Sequence, residues 1–259
     1  SLRDEVTATL ERHQDNEDLA RKALRGFRRR ELLRIALSSM VAVSDIERVG
    51  QALTDLSRAF LEGVLALARA DAEGIESVSY RMMDGQRVSN IVFKDVQVAA
   101  DDLVGELDGG HALINAVARD ANLALSAEAL GIMAQLNAKT AEYARTREQF
   151  GVAIGKFQAL QHRMVDTFIS YEQTKSMLYR AVCALTDDQE DEDQAIHALR
   201  MMVDKAGKHI FGEAIQLHGG MGITDELDIG HYAKRLMMIN TTFGNGDYHQ
   251  AKFNALRYN

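Results

Sequence analysis

Apolar residues recur at helical spacing through most of the chain, with steps of three, four or seven positions. This pattern predicts helices over residues 4–70 and three long helices over about 111–146, 157–185 and 196–217, with one or two shorter helices at the end of the chain. Gly219-Gly220 is expected to stop the third of these helices. Helices with apolar stripes joined by short loops predict an antiparallel four-helix-type bundle.

One region has the alternation of a β-structure instead. Val78, Tyr80 and Met82 alternate with polar residues, Asp84-Gly85 is a turn signal, and residues 88–98 again favour a strand. We therefore predict a mainly α fold with one short β-hairpin as its only β-structure. The expected organisation is an N-terminal helical segment over 1–72, the hairpin and a linker over 73–110, and the bundle over 111–259.

Composition excludes several functional classes. The longest apolar runs are too short to cross a bilayer, and a net charge of −8 gives no indication of nucleic-acid binding. The single cysteine, Cys183, fits a reducing compartment and falls on a predicted apolar helix face, where we expect it to be buried. These features predict a cytoplasmic protein that binds neither membranes nor nucleic acid.

The residue types that commonly carry chemistry do not form a recognisable cluster. The eight histidines are scattered without metal-ligand spacing, so we expect no metal site. The glycine-rich sequences that hold mononucleotide or dinucleotide phosphates are also missing. The residues by themselves predict a helical bundle of unassigned chemistry.

Two segments resemble the signatures of the acyl-CoA dehydrogenase family. Residues 147–162 resemble its Arg-x-x-Phe-Gly…Phe-Gln-x-x-Gln motif, and residues 216–222 resemble its Gln-x-x-Gly-Gly-x-Gly motif. The hairpin region resembles the end of the family's β-domain, so the resemblance covers residues 76–259. Residues 225–232 look most like a bacterial branch that includes small subunits of hetero-oligomeric members.

This resemblance implies a flavoprotein that binds FAD. The family removes a proton from the α-carbon of an acyl-CoA thioester while the β-hydride passes to the flavin. The implied cofactor-binding residues are Arg147, Phe150, Gln158, Gln216, Gly219 and Gly220. The arginine would pair with the pyrophosphate, the phenylalanine would lie near the adenosine, the glutamines would hydrogen-bond the cofactor, and the glycines would let backbone amides approach it. The family shares FAD between subunits, which implies a homo- or hetero-oligomer.

The sequence departs from the family at the catalytic base. The Tyr-Glu-Gly-Thr motif that carries the base aligns with a segment in which Gly244 replaces the glutamate and Gly246 replaces the threonine. A second position used for the base by some members is Ala121 here. The adjacent Asp120 is a catalytic candidate, although one step along a helix rotates a side chain by about 100°. Asp247 is another carboxylate near the aligned motif. We therefore expect the isolated chain to have little or no dehydrogenase activity.

Two further features leave other functions open. Residues 20–70 resemble a helical stretch of bacterial glutamine synthetase adenylyltransferase, and the chain has no proline. Ala99 and Ala153 stand where the acyl-CoA dehydrogenase pattern usually has proline. The alternatives to a partial or non-catalytic dehydrogenase chain are a cofactor-free structural bundle, engineered or degenerate, and a regulatory fragment of an adenylyltransferase.

Overall fold

The computed structural model describes residues 74–97, 109–186 and 191–258. All of them belong to one unit of the chain, residues 72–259. The helical segment predicted over 1–72 lies outside the described residues, so that prediction and the three-part division of the chain remain predictions.

The predicted β-hairpin is present. Strand β1 (Ile75–Arg81) pairs antiparallel with β2 (Arg87–Phe93) in continuous register. The turn is closed by a hydrogen bond from the Gly85 N–H to the Met82 carbonyl, 2.9 Å between nitrogen and oxygen. The Asp84 carboxylate accepts a further bond from the Gln86 N–H at 3.1 Å, which is the local role that aspartate commonly has in turns.

Five helices make up most of the remaining described residues, and the mainly α fold is confirmed. They are α1 (Gly110–Thr146), α2 (Gln158–Thr186), α3 (Glu192–His218), α4 (Ile229–Thr241) and α5 (Gly246–Tyr258).

Short irregular segments separate these helices. Between α1 and α2, β3 (Glu148–Gln149) pairs with β4 (Val152–Ala153), so the expectation of a single β region is wrong. Short 3₁₀ turns follow at Ile154–Lys156 and Gly219–Ile223.

Helix α3 is the centre of the bundle, because it packs against α1, α2, α4 and α5. Burying its apolar stripe contributes about 25 cal/mol for each Å² of apolar surface removed from water. The antiparallel four-helix-type bundle is confirmed, with α5 as an additional helix on the α3 surface. The side chains with the least exposure in this core are Met133, Leu136, Leu199, Val203, Leu236 and Ile239.

A three-residue ion pair joins the hairpin to the bundle. Arg235 of α4 donates to both carboxylate oxygens of Glu128 on α1, at 2.5 and 2.8 Å, and to Asp84 of the hairpin turn at 2.8 Å. Burial lowers the pKa of Arg235, but its bonds to Glu128 and Asp84 outweigh that effect and raise it. The turn is therefore fixed to α1 and α4 by a largely desolvated charge cluster.

Cys183 corrects one sequence prediction. Its side chain on α2 is exposed, not buried, because the buried positions of this turn are Ala181 and Ala184.

Among the described residues no helix is long and apolar enough to cross a membrane.

Candidate functional site

The first signature forms a closed loop at the end of α1. The N–H of Arg147 donates to the Tyr143 carbonyl, and the Arg147 carbonyl accepts from the Ile154 N–H, each at 2.8 Å. Phe150 and Gly151 turn the chain at the tip with φ angles of 55° and 78°. The loop therefore projects Phe150 away from the bundle, and its side chain is 91% exposed.

Residues just before α2 and in its first turn pack against this loop. Ile154 is buried, and the Gln161 side chain donates to the Gly155 carbonyl at 2.9 Å. Phe157 meets the Phe150 ring edge to face, with 6.1 Å between the centroids. Gln158 lies exposed at the first residue of α2.

The second signature ends α3. The Gly219 N–H donates to the Gln216 carbonyl, and Gly219 adopts φ 61° and ψ −139°, a conformation that only glycine adopts readily. A Cβ built on Gly219 or Gly220 would meet no atom within 4 Å. The backbone of both glycines is therefore open to a ligand or a partner, and the Gln216 side chain beside them is also exposed.

An unpredicted ring stack brings the two signatures to the same end of the bundle. The rings of Tyr143 and His218 lie 4.4 Å apart with 28° between their planes. His218 is buried, and its Nδ1 lies 2.8 Å from the Ala214 carbonyl. Tyr143 lies one helical turn before Arg147, and His218 lies inside the second signature, directly before Gly219. These positions were the sequence signal that could have indicated the ring stack.

Three exposed cations lie on the open surface at this end, together with the exposed carboxylate of Glu148. Arg145, Arg147 and Lys156 are all exposed, and the Arg147 guanidinium forms no ion pair with any other described residue. An unpaired guanidinium can form two parallel bonds to phosphate oxygens. The chemistry of this surface therefore fits a phosphate-bearing ligand such as FAD.

The catalytic candidate Asp120 lies elsewhere on α1. It is half-buried near the start of the helix, and Arg147 follows the last residue of the same helix. At 1.5 Å per residue, the two positions are about 40 Å apart along α1. Asp120 and Arg147 are thus not brought together within one chain.

The segment aligned with the family's base is closed by its own packing. Gly244 has φ 111°, and a Cβ there would lie 2.3 Å from Cδ1 of Tyr248. A Cβ on Gly246 would lie 2.4 Å from the Asp204 carboxylate. Neither position has room for a side chain in this conformation.

Arg200 of α3 hydrogen-bonds the segment that contains Gly244. Its guanidinium is buried and donates to the carbonyls of Ile239, Thr242 and Gly244 at 2.7, 2.9 and 3.3 Å. Burial lowers the pKa of Arg200 to about 10, partly offset by the charge of Asp204. The side chain remains a cation at neutral pH and caps the end of α4.

Solved structures and a family model resemble this chain. The solved structure "PigA with FAD and proline" is similar in fold to this chain. The two share 27% sequence identity with a TM-score of 0.68, over 72% of this chain and 49% of that one. Residues 108–253, more than half of the chain, match the family model described as acyl-CoA dehydrogenase, C-terminal domain. The chain belongs to this family.

Two curated relatives agree with this assignment. The L-prolyl-[peptidyl-carrier protein] dehydrogenase of a Serratia species is 31% identical over 61% of this chain and 41% of its own length. The short-chain specific acyl-CoA dehydrogenase of Megasphaera elsdenii is 28% identical over 56% of this chain and 37% of its own length. The chain thus spans about two-fifths of the length of the curated relatives it matches.

The N-terminal part matches a different family model. Residues 1–88 match the model described as glutamate-ammonia ligase adenylyltransferase, a longer stretch than the resemblance over 20–70 had indicated. This match extends over β1 and the hairpin turn. It covers about a third of the chain and therefore does not place the whole chain in that family.

Proposed function

We propose that this chain supplies part of the FAD site of an acyl thioester dehydrogenase and does not supply the catalytic base. The observation that carries the proposal is the exposed guanidinium of Arg147, which forms no ion pair with another described residue. Its loop is held at both ends and lies at the same end of the bundle as the open glycines of the second signature. FAD, when bound, accepts the hydride that leaves the acyl chain.

The residues of this surface have separate parts in binding. Arg147 would form a charge-assisted pair with the pyrophosphate, and the exposed ring of Phe150 would cover the adenosine. The exposed side chains of Gln158 and Gln216 would hydrogen-bond the cofactor. Gly219 and Gly220 would let the cofactor approach the backbone closely, because no side chain covers them.

The surface can bind only one side of a cofactor. The Phe150 ring is 91% exposed, whereas cofactor sites are usually concave and bury most of the ligand. A second protein surface is therefore needed to complete the site. We infer that this surface belongs to another subunit, either a second copy or a longer family member, and that the chain is a partial subunit.

The substrate is expected to be an acyl thioester. The two curated relatives are named for different carriers, CoA and a peptidyl-carrier protein, and a thioester is common to both. A positioned base contributes about 10²–10⁴-fold to proton abstraction. Since Gly244 and Ala121 supply none and Asp120 is distant from Arg147, we expect turnover only when another subunit provides the base.

Titration of FAD fluorescence against the purified chain tests the proposal. Loss of a charge-assisted pair costs about 1.5–3 kcal/mol, so Arg147→Met should weaken FAD binding by roughly 10- to 100-fold. Arg145→Met is the matched control, since it removes another exposed cation two residues away and should change the affinity little.

Two outcomes would contradict the proposal. Equal weakening by both substitutions would show that only general positive charge attracts the flavin. No measurable binding to the chain, alone or mixed with a full-length family member, would favour the cofactor-free structural bundle.

A further inference from the structure

Helix α5 packs on α3 with one deeply buried side chain, and that side chain titrates. His249 is 1% exposed and is the only buried residue of α5. Its Nδ1 lies 2.8 Å from Nδ1 of His197 on α3, and its Nε2 accepts from Arg200 Nε at 3.5 Å. An apolar residue would be the usual anchor at such a position, since histidine is only intermediate in its tendency to be buried.

The proton positions in this chain of bonds follow from Arg200. A guanidinium has no acceptor, so the Nε–H of Arg200 must donate and Nε2 of His249 must carry a lone pair. The single proton of neutral His249 is then on Nδ1 and donates to Nδ1 of His197. Both histidines must be neutral, because each uses one ring nitrogen as an acceptor.

The surroundings favour the same neutral state. Burial lowers the pKa of His249 to about 4, and the charge of Arg200 and the neighbouring His197 ring lower it further. The Gly244 carbonyl, an acceptor for an added ring proton, opposes this lowering. Burial also lowers the pKa of His197, against the raising effect of Asp193 on α3 and with a lowering effect of Lys252 on α5. The Tyr248 ring lies against His249 edge to face, with centroids 5.2 Å apart.

We propose that His197, His249 and Arg200 form an acid-sensitive latch that holds α5 and the segment before it closed at neutral pH and releases them when a histidine is protonated. A proton added to either acceptor nitrogen breaks one bond of the chain. It also places a second cation beside Arg200 in a buried site. Release of α5 moves Tyr248 away from Gly244, which uncovers the segment aligned with the family's base. This inference does not depend on the proposed FAD site.

Hydrogen–deuterium exchange of the whole chain without flavin tests the latch. Protection factors are compared at pH 7 and pH 5, each corrected for the intrinsic exchange rate at that pH. With an ordinary histidine pKa of about 6.5 in the open state, opening of residues 246–258 should become about twentyfold more favourable at pH 5. Protection of α1 should change little over the same interval.

Two variants separate the latch from general acid sensitivity. His249→Leu replaces the buried ring with an apolar side chain that does not titrate, so it should remove the selective response of α5 to pH. His162→Gln, at an exposed position on α2, should keep that response. If His249→Leu does not fold, proton NMR of the unmodified chain decides instead, with the signals of His249 and His197 expected to titrate below the ordinary histidine pKa. A uniform loss of protection, a response retained in His249→Leu, or eight ordinary histidine titrations would overturn the proposal.

Discussion

Restoring a side chain at Gly244 is predicted to destabilise the chain and to leave it inactive. Gly244→Glu returns the carboxylate that the family carries at this aligned position, and Gly244→Ala adds only the Cβ. The backbone at Gly244 has φ 111°, which side chains rarely adopt, and the added Cβ would lie 2.3 Å from Cδ1 of Tyr248. The positive φ angle and the close approach of Tyr248 both disfavour any residue other than glycine at position 244.

The size of the effect follows from these two terms. A non-glycine residue in a sparsely populated backbone region costs about 1–3 kcal/mol, and overpacking typically costs a further 1–3 kcal/mol. Gly244→Ala should therefore lower the free energy of unfolding by roughly 2–6 kcal/mol. In a Tyr248→Ala background only the backbone term remains, so the cost of Gly244→Ala should fall by about 1–3 kcal/mol.

Urea unfolding at neutral pH measures these differences. Gly212→Ala is the matched control, because Gly212 is an exposed glycine inside α3 whose added Cβ would meet no atom within 4 Å, and it should gain about 0.5–1 kcal/mol. The reasoning is refuted if Gly244→Ala is neutral, or if its cost is the same with and without Tyr248. Gly244→Glu should fail to bleach FAD with an acyl-CoA, and robust bleaching would show that the segment opens easily.

Two other substitutions test the local structure by the same unfolding assay. Arg235→Met should cost roughly 2–4 kcal/mol, since it leaves the buried Asp84 carboxylate unpaired, whereas the control Lys234→Met breaks an exposed pair worth at most about 1 kcal/mol. Equal costs would contradict the role given to the hairpin anchor. Ala153→Pro should stabilise the chain by about 0.4–1 kcal/mol, because Ala153 already has φ −59°, and a loss of more than about 1 kcal/mol would show that the loop does not follow the family pattern. Ala99 lies outside the described residues.

Much of the fold could be predicted from the sequence because its apolar stripes are long. The limits of α1 differ from the prediction by one residue at its start, since Gly109-Gly110 and the first signature mark both ends. The second hairpin was missed because β3 and β4 have only two residues each, too few for an alternating pattern to show. Cys183 was placed on the wrong face because small alanines, not larger residues, fill the buried positions of that turn.

The candidate site was only partly accessible to sequence reasoning. Motif resemblance indicated Arg147 and Gly219, whereas the contact that brings their segments together depends on Tyr143 and His218, which lie 75 residues apart. The buried cluster around Arg200 gave no sequence signal. A lone arginine within an amphipathic helix is usually exposed, and its partners here are carbonyl groups of a distant loop.

The central claim is that this chain forms half of a flavin site that another subunit completes. Sedimentation velocity of the chain with FAD, recorded both at the protein band and at the visible flavin band, tests it most directly. We predict that flavin absorbance sediments only with an oligomer, either of this chain or with a full-length family member, and that Arg147→Met removes it from that boundary. Flavin that sediments with a monomer, or that stays free while the chain is fully oligomeric in both mixtures, would contradict the account.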